Sequence, residues 1–352
     1  MDKTVRNWRF DYLKGVSCII VVLFHVPIPG LIGEAIIYGM RFPVPVFFMI
    51  TGYYCETRSN AWILNKTKQL LIRLFMVELL YGIWNLFLWI VIEGGTVSGF
   101  IRSIALVQRP VKTLLCGSVF NGTLWFLYAA IWTYILILLC RKAGLMNKLF
   151  FCIIYILLMI VFMVVGRMRL QNNMDPEKFK DFTFLFCNAV SFGLPMTASG
   201  MMFARYKDKI REWITFRKNI LLFGVGSVVL VTEFLIYGKY MDFHFSTFII
   251  SVALFLFTFT YKKDIMPFKR LFSYIGQNMS IWIYFDHLFV NSLVLLIAKK
   301  VINTGSYAYQ YAHPFVVIVI SCIMAWVIYK IKNMAKRKKV NETKGECDNT
   351  GL

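Results

Sequence analysis

Residues 11–30 read DYLKGVSCIIVVLFHVPIPG. The stretch is apolar enough to enter a bilayer, yet it carries Asp11, Lys14 and His25 and ends in Pro27 and Pro29. An α-helix turns about 100° per residue, so Lys14 and His25, eleven steps apart, lie within about 20° of each other around the axis. Asp11 and His25, fourteen steps apart, lie within about 40°, and Cys18, seven steps before His25, falls on the same side. These four residues share one face of a first membrane helix. His25 stands about 16 Å above Lys14. With Lys14 at the cytoplasmic headgroups, His25 reaches the midplane or beyond. Ionisable groups at that depth are costly and face a cavity or the bundle interior. The plain alternatives are a snorkelling lysine and a histidine that bonds a neighbouring helix. Pro29 cannot donate to the carbonyl of His25, nor Pro27 to that of Leu23. The helix is therefore expected to unwind just past His25, where irregular backbone is tolerated only against protein or a wet cavity.

The rest of the chain agrees with a membrane setting. Of its 352 residues 59% are hydrophobic, and the mean hydropathy is +0.63, above the roughly 45–50% apolar content of a soluble domain. The net charge of +21 does not predict nucleic-acid binding here. In such a chain Lys and Arg mark cytoplasmic loops and sit against anionic lipid headgroups. The eight cysteines lie mostly in apolar runs without a CxxC pair, and read as small core residues rather than disulfides or a metal set. No cleavable signal peptide is expected, because the first apolar run leads into further spans.

A span needs about 20 apolar residues. Ten segments qualify: 12–30, 41–55, 70–93, 124–140, 149–166, 184–204, 220–238, 245–261, 279–298 and 315–331. The second is short and holds Pro43 and Pro45, which predicts a tilted or partly unwound segment. If the N-terminus is cytoplasmic, the cytoplasmic segments carry 27 of the 39 Lys and Arg and the outer loops 11, with Lys14 the remainder. That asymmetry predicts an all-α integral membrane protein of about ten transmembrane helices with both termini cytoplasmic. Residues 1–331 form the membrane domain, and the polar tail 332–352 is expected to be disordered. No internal repeat is visible, which speaks against a transporter built from repeated halves.

Four segments, in order, resemble one known family. RFDYLKGVSCIIVVLFH (9–25) is similar to its opening helix, where a basic residue precedes a histidine with ten residues between; Lys14 stands where Arg is commoner. VPVFFMITGYY (44–54) is similar to its second helix, with Thr51 where Ser is usual. GTLWFLYAAI (122–131) and IGQNMSIWIYFDHLFV (275–290) are similar to its fourth helix and its late Gly–Ser–Tyr–His segment. The family is the membrane-bound acyltransferase-3 family, which includes bacterial O-acyltransferases of surface polysaccharides. The resemblance implies an O-acyltransferase, and usually an O-acetyltransferase, of the bacterial plasma membrane. Its donor would be cytoplasmic acyl-CoA, most often acetyl-CoA, with no permanently bound cofactor or metal. Its acceptor would be a hydroxyl of a cell-envelope glycan or lipid-linked saccharide.

That chemistry gives the polar face a use. A hydroxyl needs a base before it can attack a thioester, and a neutral imidazole can take its proton. His25 is the candidate base. Asp11 and Lys14 can pair, and Lys14 can equally meet a donor phosphate as a point charge. Lys66, Lys68 and Arg73, at the inner end of the third span, are candidates to hold the donor phosphates or are ordinary positive-inside residues. Tyr284 and His287 are candidate acceptor contacts, with His287 equally readable as a core hydrogen-bonder. Adjacent Asp286 does not face His287 on a helix, so the two form no dyad. Trp125 is a candidate acceptor contact that reads more readily as a packing aromatic. Glu78 and Glu233 are further intramembrane carboxylates whose partners are left open among Lys14, Arg73 and His25. The long region 94–123 is expected at the outer mouth, and His244 and His313 in outer loops. The rival reading from another class is a transporter of a small polar solute or acyl group.

Overall fold

The computed structural model describes residues 7–172, 188–237, 244–261 and 265–349. Among them every regular element is helical. In chain order these are α1 (Trp8–His25), α2 (Gly30–Gly39), α3 (Pro43–Thr57), α4 (Asn60–Phe87) with a π turn at Leu88–Ile92, and the short α5 (Val97–Ser103), α6 (Ala105–Gln108) and α7 (Pro110–Cys116). There follow α8 (Trp125–Lys142), α9 (Lys148–Asn172), a π turn at Ala189–Gly193, α10 (Leu194–Arg205), α11 (Lys207–Trp213), α12 (Phe216–Tyr237) and α13 (Phe245–Thr260). The last are α14 (Lys269–Tyr274), a π turn at Ile275–Met279, α15 (Ser280–Val301) and α16 (Tyr307–Asn349). Part of the sixth expected span, residues 184–187, and the end of the seventh, residue 238, lie outside the described residues.

Six stretches are long and apolar enough to cross a membrane: Gly30–Thr57, Asn60–Ile92, Gly122–Lys142, Phe216–Ile236, Lys269–Val301 and Tyr307–Ala335. Lys148–Val161 and Phe245–Thr260 are shorter apolar helices. The charged α1 is not among the six.

Prolines set two boundaries differently. Beyond His25 the chain leaves the helix, and Val26 N–H makes the closing bond to Val22 O at 2.8 Å. The missing amides of Pro27 and Pro29 remove the next bonds. Pro43 and Pro45, by contrast, do not unwind the second segment. They sit in the first turn of α3, where amides lack intrahelical partners in any case.

The chain divides into two compact units, Met1–Met40 with Asp264–Leu352, and Arg41–Lys263. In the first, α1 packs backbone to backbone on α14 and the following π turn. A Cβ on Gly15 would collide with the Phe272 carbonyl, and one on Gly276 with the Asp11 carbonyl. Small residues let membrane helices approach this closely. Further along, Cys18 Sγ–H donates to Ser280 O at 3.4 Å, and His25 faces His287. From one contact to the next is seven residues on both helices, so α1 and α15 run parallel and in step, about 10.5 Å apart along the axis.

In the second unit α3 and α10 meet at Gly52 and Gly200, each against the other helix's backbone. A core around Cys55, Ile63, Ile137 and Leu194 joins them to α4, α8 and α9. Both open-partner carboxylates find backbone amides within this unit, with the Tyr128 hydroxyl added at Glu78 and His244 Nδ1 3.8 Å from Glu233. Glu78 accepts from Val119 N–H at 2.9 Å, Phe120 N–H at 3.0 Å and the Tyr128 hydroxyl at 3.0 Å. Glu233 accepts from Phe245 and Ser246 N–H at 2.8 and 3.0 Å, capping α13 from α12. Region 94–123 is three short helices anchored on α4 through Glu78, through Asn85 Nδ2 to Phe120 O at 2.9 Å, and through Trp89 Nε1 to Thr96 O at 2.9 Å. α16 runs to Asn349.

Candidate active site

The polar face of α1 survives folding. Lys14 Nζ stands 2.7 Å from Asp11 Oδ1, with Asp11 buried and Lys14 one-fifth exposed. The pairing comes from helical spacing of three residues, and the Gly276 contact on the Asp11 carbonyl encloses it. Cys18 is buried one turn on, and His25 is half-buried at the helix end.

The His25 and His287 rings lie 5.4 Å apart between centroids, tilted by 34°. Phe24 meets His25 edge-on at 5.2 Å, and the half-buried Tyr284 lies 6.2 Å from the His287 ring. His287 is wholly buried. Its Nδ1 is 3.0 Å from Ile283 O, one turn back on α15. Asp286 points elsewhere, beside Ser321, Cys322 and Cys18. Among the described residues its oxygens and the Ser321 hydroxyl make no hydrogen bond of good geometry. Neighbours in sequence thus serve different surroundings, as their 100° separation on the helix requires.

The other predicted residues belong to the second unit. On α4, Lys66 and Arg73 are seven residues apart and share a stripe, while Lys68 lies about 140° from Arg73 around the axis and is exposed. Lys66 Nζ reaches Gln69 Oε1 at 3.5 Å and lies over the Trp62 ring. Half-buried Trp125 packs edge-on against Phe192 at 6.0 Å, which is a packing role. A polar set missed by the sequence reading lies higher in the first unit. His313 sits on α16 rather than in a loop, with Nε2 at 2.8 Å from Asn291 Oδ1 and Nδ1 at 3.0 Å from the Tyr309 hydroxyl. Asn291 is one turn beyond His287 on α15. The four-residue spacings 287–291 and 309–313 are visible in sequence, but which helices meet there is not.

A half-buried imidazole at the broken end of a helix, with a second imidazole against it, is a proton-accepting arrangement. The acyltransferase-domain family matches residues 7–332. The chain belongs to the acyltransferase-3 family. No curated protein and no solved structure matches it. Membership makes it an acyltransferase of groups other than aminoacyl groups. Together with its apolar helices, membership makes it a multi-pass membrane protein. The family match spans both units, and so includes the His25–His287 pair as well as the α4 cations.

Proposed function

We propose that this acyltransferase moves an acyl group, usually acetyl, from cytoplasmic acyl-CoA to a hydroxyl of a cell-envelope glycan or lipid-linked saccharide. It would do so in a bacterial plasma membrane, through ten spans with both termini cytoplasmic. His25 is the base. The observation that carries the reading is the position of His25. It is the last residue of α1, half-buried, with no hydrogen bond to its ring among the described residues, and with the backbone opened beyond it by Pro27 and Pro29. In the transfer, the acceptor O–H proton goes to a ring nitrogen of His25 as the oxygen attacks the thioester carbonyl. The O–C bond forms, the C–S bond breaks, and the thiolate leaves with the electron pair and takes the proton back.

Cations suited to the donor phosphates are Lys66 and Arg73, on one stripe of α4, with Lys68 at the surface. The Lys14–Asp11 pair is neutral overall, so Lys14 contributes to donor binding only where Asp11 releases it. His287 supplies a polar group beside His25, and Tyr284 lies 6.2 Å from the His287 ring. Trp125, packed edge-on against Phe192, is the acceptor-contact candidate of the second unit.

The test is purified protein with acetyl-CoA and a panel of methyl glycosides. His25→Ala is expected to lower transfer by about 10²–10⁴-fold with donor binding intact. Full activity in that variant sinks the base assignment. Solute uptake into vesicles without acylated product would favour transport instead.

A further inference from the structure

The task of His25 leaves a second imidazole in the same seam unused. A carbonyl oxygen only accepts, so the 3.0 Å contact of His287 Nδ1 with Ile283 O puts the proton of the neutral ring on Nδ1. Nε2 then carries a lone pair and no proton. That atom is buried and has no hydrogen-bond partner among the described residues. An unmet buried acceptor is costly to keep. The group across the seam is His25, 5.4 Å away between centroids. Two imidazoles joined by an N–H···N bond of about 3 Å have centroids about 5 Å apart, close to the separation of these two.

Protonation supplies the reason for that bond. Neutral His25 has one N–H, while the imidazolium has two. The nitrogen that does not receive the acceptor proton already carries the N–H of the neutral ring, and on protonation that N–H becomes a charge-assisted donor that is costlier to leave without an acceptor. A neutral lone pair meets that need without a second buried charge, which would itself have to be compensated.

We propose that His287 is a positioning residue for the transfer, its Nε2 accepting from the His25 N–H opposite the base nitrogen as that ring becomes an imidazolium. The proposal rests on His25 being the base. The bond to His287 fixes which His25 nitrogen faces the acceptor hydroxyl and spreads the charge that develops there. When the thiolate takes the proton, His25 returns to neutral and His287 has neither gained nor lost one.

The chain has four histidines, so nitrogen-15 labelling of the full-length protein in nanodiscs resolves them. On acidification the His287 Nε2 resonance is expected to shift together with protonation of His25, and to stay fixed over that range in His25→Ala. A Nδ1 that is not the protonated nitrogen, or a Nε2 indifferent to His25, overturns the proposal. With acetyl-CoA and the methyl glycosides, His287→Phe is expected to lower kcat by about 10–100-fold with either KM within about twofold and no fall in Tm. His287→Gln, which keeps an acceptor, is expected to restore much of the rate. Equal loss in Phe and Gln, a rise confined to acceptor KM, or loss that follows a lowered Tm overturns it. Full rate in His287→Phe with an inactive His25→Ala sinks this role alone, while full rate in His25→Ala sinks the base.

Discussion

Lys14 and Asp11 are three residues apart, and their 2.7 Å contact with an enclosed carboxylate is a pair whose halves depend on each other. Lys14→Met removes the cation 2.7 Å from the buried Asp11 carboxylate, at an expected cost of about 1–3 kcal/mol. Adding Asp11→Asn is expected to recover most of that, since the carboxylate no longer needs a partner. Denaturant unfolding of the two singles and the double measures the coupling, and simple additivity would show that the pair stabilises nothing. This contact was legible from the sequence because it is local. The partners of Glu78 and Glu233 were not. None of Lys14, Arg73 and His25 is the partner: most of the bonds come from backbone amides of Val119, Phe120, Phe245 and Ser246, beside the Tyr128 hydroxyl. Backbone amides carry no signature in side-chain composition.

At the level of helices, α1 owes its place to two glycines. Gly276→Ala puts a methyl into the Asp11 carbonyl, and Gly15→Ala puts one into that of Phe272. Each is expected to cost about 1–3 kcal/mol or more by forcing the helices apart. Activity should fall further than stability does, because the same displacement separates His25 from His287. Tm and transfer rate measured together on Gly276→Ala check this, and an active variant of unchanged Tm would contradict the close approach. The end of α1 was readable from Pro27 and Pro29. The step between α1 and α15 was not, since it depends on a π turn at Ile275–Met279 whose extra residue leaves no pattern in the segment. The prolines of α3 misled for a related reason: their effect depends on which turn they occupy.

Across the whole chain, apolar runs fixed the class, and each of the ten expected spans has a helix in its described part. The 27 to 11 partition of Lys and Arg bears on sidedness, which helical geometry alone does not carry. Cysteines introduced in a variant without reactive native thiols provide the measurement. Ser59→Cys and Ser306→Cys are expected to react with an impermeant maleimide from opposite faces, the first only from the cytoplasm. Labelling of both from one side would break the alternation on which the ten-span topology rests. The units at Met40 and Asp264 had no composition signal, because the first unit joins the two ends of the chain through contacts far apart in sequence.

The abrupt end of α1 also makes the two imidazoles electrically unequal. Aligned peptide dipoles leave about half a negative elementary charge at a helix C-terminus. His25 is the last residue of α1, at that pole, while His287 lies within the run of α15. A cation arriving at the terminal position gains about 0.3–1 kcal/mol, and up to about 2 when partly enclosed. The chain break therefore does more than open space beyond the ring: it selects which of two like groups receives the migrating charge.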